Sequence, residues 1–177
     1  SNPLKAFDTS IVNSMNAKAF QLMLYDVSEA KEKSEEALKI SNKANYPDGK
    51  LMSLKNLGTI LFNEGNYKLS ISQFKKALNY AQDIQNNEEI ASISLALGKS
   101  YNNIGDKENS LYYLDKAKEY FIKVEDFTGL YETFQNLSIV YQSHNEYHNA
   151  LFYGIEALKI SRNSSNKENL IFSLGNL

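Results

Sequence analysis

The chain has 177 residues, 42% of them apolar, and its 19 basic and 21 acidic residues give a net charge of −2. Without a basic stripe to neutralise phosphates, binding of nucleic acid by this segment is not expected. No apolar run approaches the roughly 20 residues that cross a bilayer, so this segment is not expected to enter a membrane either. The absence of Cys excludes disulfides, thiolate metal sites and a cysteine nucleophile.

Apolar residues recur at three- and four-residue steps, which is typical of amphipathic helices. Leu51, Leu54 and Leu57 show this spacing, and the turn-forming pair Gly65-Asn66 interrupts it. In chain order, the pattern predicts helices near residues 11–24, 27–43, 48–63, 67–84, 88–103, 107–123, 127–143, 147–162 and 167–177.

The helices fall into an internal repeat of 40 residues. The frame is carried by Asn56-Leu57-Gly58, Ala96-Leu97-Gly98 and Asn136-Leu137-Ser138, and by Ala37, Ala77, Ala117 and Ala157. It predicts hairpin units at 11–46, 47–86, 87–126 and 127–166, followed by the first helix of a fifth unit at 167–177. Because one hairpin cannot bury its own apolar faces, the units are expected to stack into an all-α solenoid. The solenoid is also expected to be a fragment of a longer protein.

Small residues at fixed places in the frame have a packing role. Gly58 and Gly98 on first helices, with Ala77 and Ala117 on second helices, leave room for two helix backbones to approach closely. Large side chains such as Phe74 are then expected to fill the space between the helices of a hairpin.

These residues resemble the tetratricopeptide repeat family over nearly the whole chain. The resemblance rests on Leu57-Gly58, Gly65-Asn66-Tyr67, Ser70, Phe74 and Ala77, and on Leu97-Gly98, Tyr101, Gly105-Asp106, Ser110 and Ala117. The pattern departs from the family in its period, 40 instead of 34, in lacking Pro after most second helices, and in having Ala17-Lys18 in place of Leu-Gly. It is similar to long-period arrays of Bacteroidetes-type bacterial regulators.

The resemblance implies a right-handed superhelix of antiparallel hairpins whose first helices line a concave groove that holds a peptide or protein. The groove residues it implies are Met52, Lys55, Asn56, Thr59, Asn63, Lys99, Asn103, Glu132, Asn136 and Ile139. For Asn56 and Asn136 two interpretations are open. Their amides either pair with a bound peptide backbone or make hydrogen bonds between repeats.

Chemical alternatives find little support in the sequence. His144 and His148 are four residues apart, but they flank a predicted turn and no third metal ligand is evident. No phosphate-binding loop and no paired nucleophile and base occur, so no catalytic residue, cofactor or metal site is predicted.

The predicted function is therefore that of a protein- or peptide-binding module. It would serve as the sensing or scaffolding part of a larger bacterial regulatory protein, in the cytoplasm or the periplasm. One alternative is a regulator in which a peptide changes the curvature of the array and so an attached effector domain; another is the accessory domain of an enzyme. The apolar residues at the end of the chain are Ile171, Phe172, Leu174 and Leu177. Two interpretations are open for them: they lie on the preceding hairpin as a lone capping helix, or they contact another molecule, which includes self-association of the chain.

Overall fold

The computed structural model describes residues 3–163, with the side chains of residues 9–162. This part of the chain consists of consecutive helices: α1 (Pro3–Leu22), α2 (Val27–Lys43), α3 (Pro47–Asn63), α4 (Tyr67–Asp83), α5 (Asn87–Asn103), α6 (Lys107–Lys123), α7 (Phe127–Ser143) and α8 (Tyr147–Asn163).

The predicted bounds of α2 to α8 are confirmed to within one residue. Helix α1 differs, because it begins at Pro3 instead of near residue 11 and ends at Leu22 instead of near residue 24. Its early turns include the polar run Asp8-Thr9-Ser10, where apolar periodicity gives no signal. The predicted helix at 167–177 lies outside the described residues.

One turn geometry links the helices from α2 onward. The turn residues with positive φ are Asn45, Gly65, Gln85, Gly105, Glu125 and Asn145. At the turn between α3 and α4, the N–H of Asn66 donates to the carbonyl of Leu61 at 2.8 Å, and that of Gly65 to Phe62 at 3.0 Å. These are the two hydrogen bonds of a Schellman motif, and their repetition every 20 residues keeps the hairpins in one frame.

Close approach within each hairpin is confirmed. A Cβ atom added to Gly58 would lie 2.7 Å from the ring of Phe74, and one added to Gly98 would lie 2.6 Å from Cγ of Leu114. The hydroxyl of Ser110 also donates to the carbonyl of Gly98 at 2.8 Å. Small residues therefore let a large side chain of α4 or α6 pack directly on the backbone of the preceding helix.

Tyrosine pairs join the helices of the later hairpins. Tyr101 stacks on Tyr113 with ring centroids 5.5 Å apart, and Tyr141 stacks on Tyr153 at 5.6 Å. Burial raises the pKa of Tyr113 and of Tyr153 above the ordinary tyrosine value. The same frame position in the second unit holds Leu61, so the stacks belong to the third and fourth units.

Contacts between units give the array its curvature. Consecutive first helices approach one another, with Cα atoms within 8 Å between α1 and α3, α3 and α5, and α5 and α7. No such contact joins two consecutive second helices in residues 3–163. The first helices thus form the inner side of the curve, which we call the first-helix face, and the fold is an all-α solenoid. None of the described helices is long and apolar enough to cross a bilayer.

Candidate functional site

Two open clefts lie on the first-helix face, one on each side of α5. The cleft between α3 and α5 has a volume of about 180 Å³ and is lined by Thr59, Phe62, Asn63, Phe74, Ala96 and Lys99. The cleft between α5 and α7 has a volume of about 350 Å³ and is lined by Ser92, Leu95, Ala96, Lys99, Phe121, Asp126, Thr128, Gly129 and Glu132. Ala96 and Lys99 line both, so we treat the pair as one site, the α5 clefts.

The two clefts meet at a frame position whose residue differs between the units. The frame position that holds Asn56 in α3 and Asn136 in α7 holds Ala96 in α5. In α3 the longer side chain is buried and reaches the preceding first helix, where its amide donates to the backbone carbonyl of Asn16 at 3.0 Å. The methyl group of Ala96 does not extend as far, so space remains on both sides of α5.

Of the two lysines on this face, Lys55 and Lys99, one is held in an ion pair with a described residue and the other is not. Lys55 is bound by Glu89, with its Nζ 2.7 Å from a carboxylate oxygen. Lys99 has no carboxylate within 4.0 Å among the described residues, and its Nζ lies 5.8 Å from the centroid of the Phe62 ring. Asp126 and the exposed Glu132 lie on the opposite side of the second cleft. The site therefore presents one cation without a carboxylate partner, next to an aromatic ring.

Four of the residues implied by the sequence lie away from the clefts. Asn56 is only 2% exposed and its amide is used within the protein, so the inter-repeat interpretation describes it. Lys55 is held by its ion pair, and Met52 is half-buried. Asn103 is exposed and donates to the carbonyl of Lys99 in its own helix at 2.9 Å.

The other six residues line clefts. Thr59, Asn63, Lys99 and Glu132 line the α5 clefts. Asn136 and Ile139 line a third cleft, of about 360 Å³, between α7 and α8. That these side chains contact a peptide remains a prediction.

The first turn of α7 is a part of the site that the sequence did not predict. Asp126 caps this helix by accepting the N–H groups of Thr128 and Gly129 at 3.0 Å each, and all three residues line the second cleft. A signal was present, because Asp106 occupies the N-cap 20 residues earlier. What the repeat did not reveal is that the start of α7 borders the cleft beside α5.

His144 lies at the C-cap of α7, and His148 lies in the first turn of α8. A ring nitrogen of His144 lies 2.9 Å from the carbonyl oxygen of Val140. Within the described residues no group of three potential metal ligands occurs.

The fold and the open inner face define a class: a helical repeat protein, an architecture that in general mediates protein interactions. No family model and no curated protein matches the chain. A similar solved structure is that of BtubC (BKLC) from P. vanneervenii, with a TM-score of 0.82 and 20% sequence identity over 90% of this chain. The chain spans 66% of the length of that protein, and at this identity the likeness shows the fold alone.

Proposed function

We propose that this protein binds a segment of another polypeptide in the α5 clefts and that its role is binding, not catalysis. The observation that carries the proposal is the pair of adjoining clefts that share Ala96 and Lys99. Together they span three successive first helices, which is the extent an extended peptide needs to place more than one side chain. We further assign the 40-residue hairpins to the tetratricopeptide type, on the residues they share with that family.

The lining of the clefts indicates which side chains fit. The first cleft is bordered by the rings of Phe62 and Phe74 and has about the volume of one large side chain. It favours an apolar residue, because burying apolar surface stabilises the complex. Lys99, with no carboxylate partner in the described residues, favours an acidic group beside it. We propose a partner segment in which an apolar residue is adjacent to an acidic one, and a role for the array as the sensing or scaffolding part of a larger bacterial regulatory protein.

The test begins with selection of peptides that bind the chain from a displayed random library. Binding of a selected peptide is then measured by fluorescence anisotropy for the wild type, for Lys99→Glu, and for Lys68→Glu as a matched charge reversal on exposed α4. Lys99→Glu is expected to weaken binding by about tenfold or more, because it replaces an attraction with a repulsion. Lys68→Glu is expected to leave affinity unchanged. Equal affinities for all three proteins contradict the proposal.

A second variant tests the clefts without a change of charge. Ala96→Leu places a larger apolar side chain where the two clefts meet, so it is expected to weaken the same peptide while the circular dichroism spectrum stays helical. If Ala96→Leu binds the peptide as well as the wild type does, the peptide lies elsewhere on the protein.

A further inference from the structure

The second of the α5 clefts, between α5 and α7, has an apolar floor where the preceding interface has an ion pair. Between α3 and α5, Nζ of Lys55 lies 2.7 Å from a carboxylate oxygen of Glu89. The same frame positions one unit later hold Leu95 and Gly129, which both line the second cleft. The ring of Phe121 occupies the place that a side chain at Gly129 would need, and it is 4% exposed. The base of the second cleft is therefore apolar.

Two carboxylates border this cleft on the side of α7. Glu132 is exposed, and its carboxylate has no ion pair or hydrogen bond among the described residues. Asp126 caps α7 with one oxygen only, because its Oδ1 accepts both of the capped N–H groups. Among the described first helices only α7 has an acidic residue at the frame position of Glu132, since the others hold Val12, Met52 and Ser92. The rim of the second cleft thus carries negative charge that forms no ion pair with a described residue.

A long basic side chain matches both features of the cleft. Its methylene groups can cover Leu95 and Phe121 while its charged end reaches Glu132, and lysine and arginine combine such a stem with such a head. With about 350 Å³, the second cleft also has more room than the first, which has about 180 Å³. An acidic side chain would be repelled by the rim.

The order of charges along the first-helix face sets a spacing in the partner. Lys99 belongs to α5 and Glu132 to α7, so an acidic and a basic group are favoured over neighbouring first helices. The axes of packed helices lie about 8–10 Å apart, and an extended chain advances about 3.3 Å per residue. The two groups therefore belong about two or three residues apart in an extended segment.

We propose that the second cleft binds a lysine or arginine side chain of the partner segment, at Glu132 and Asp126, about two or three residues from the acidic group beside Lys99. The inference rests on the proposed function, because it concerns the same site. It makes Glu132 the residue that selects the basic group. The partner segment then presents an apolar, an acidic and a basic residue in the order of α3, α5 and α7.

Selection from a displayed library of random peptides tests this inference. The library is selected in parallel against the full chain as wild type, as Glu132→Lys, and as Glu35→Lys, a matched charge reversal at an exposed residue of α2. The wild type and Glu35→Lys are expected to enrich Lys or Arg near an Asp or Glu, at the spacing given above. Glu132→Lys is expected to reduce that enrichment by about tenfold, because it replaces an attraction with a repulsion.

Fluorescence anisotropy with one peptide selected by the wild type gives a second readout. Replacing the basic residue of this peptide by Glu is expected to weaken its binding to the wild type by about tenfold. The same replacement is expected to strengthen its binding to Glu132→Lys. Because Glu132 is exposed, the variant is expected to keep the urea midpoint of the wild type.

The outcomes separate this inference from the proposed function. A wild-type pool with the apolar and acidic residues but without an enriched basic one overturns the inference and leaves the proposed function standing. Enrichment of the basic residue by Glu132→Lys as strong as that by the wild type also overturns it. If neither Lys99→Glu nor Glu132→Lys changes which peptides are selected, the proposed function is contradicted as well.

Discussion

Replacing Asn56 by Ala separates the two roles that its amide could have. The side chain is 2% exposed and donates to the backbone carbonyl of Asn16 at 3.0 Å. Its removal deletes one buried hydrogen bond and leaves a small gap between α1 and α3, at a cost of about 1–2 kcal/mol of unfolding free energy. For a domain of this size, each kcal/mol lowers the thermal midpoint by about 2–4 °C.

Asn103→Ala is the matched control for this prediction. That amide also donates to a backbone carbonyl, but it is exposed and bonded within its own helix, so water can replace the bond and the change is expected to stay within about 0.5 kcal/mol. Urea unfolding followed by helical circular dichroism measures both variants. Equal midpoints for Asn56→Ala and Asn103→Ala would refute the assignment of Asn56 to the interface between units.

Three further predictions follow from packing and burial. Ser94→Ala is expected to raise the unfolding free energy by about 1 kcal/mol, because the buried Ser94 hydroxyl has no hydrogen-bond partner in the described residues. Ser100→Ala is the control and is expected to raise it less, since the Ser100 hydroxyl donates to a helix carbonyl at 2.7 Å. Equal urea midpoints for the two variants contradict this prediction. Gly98→Ala is expected to lower the unfolding free energy by about 1–3 kcal/mol through overpacking. Gly154→Ala is expected to raise it by up to about 1 kcal/mol through helix propensity, because its new Cβ meets only a hydroxyl oxygen at 3.7 Å. Urea unfolding that shows a change of the same sign for both variants contradicts this prediction. Burial raises the pKa of Tyr153 in the folded state, so its contribution to the unfolding free energy is complete below the ordinary tyrosine pKa of about 10 and is lost as the pH rises through the folded-state pKa. In parallel urea titrations, Tyr153→Phe is therefore expected to lose less stability at alkaline pH than the wild type does.

Much of the fold follows from the repeat. A period of 40 placed the helices because small residues and turn residues recur at the same frame positions, as Gly58 and Gly98 do where two helices of a hairpin approach closely. Positive φ at Gln85 and Glu125 was not foreseeable from residue type, since neither favours the left-handed region. Both adopt it because they occupy, in the turns between units, the place that Asn45 holds in the first of these turns.

The candidate site depends on departures from the repeat, which a period alone does not predict. Asn56 and Asn136 share one frame position, yet Asn56 is buried against α1 while Asn136 lines an open cleft. Asn56 donates to the backbone carbonyl of Asn16 in the preceding first helix, whereas Asn136 donates to the carbonyl of Glu132 in its own helix. The α5 clefts arise in the same way, from Ala96 standing where its counterparts are Asn.

The central claim, that the first-helix face around α5 binds polypeptide, is tested most directly by NMR mapping of a selected peptide on the isotopically labelled full chain. The largest shift changes on binding are expected on Thr59, Ala96 and Lys99, which line the α5 clefts. Changes confined to the outer face of the second helices, for example around Leu69 and Tyr112, would contradict it.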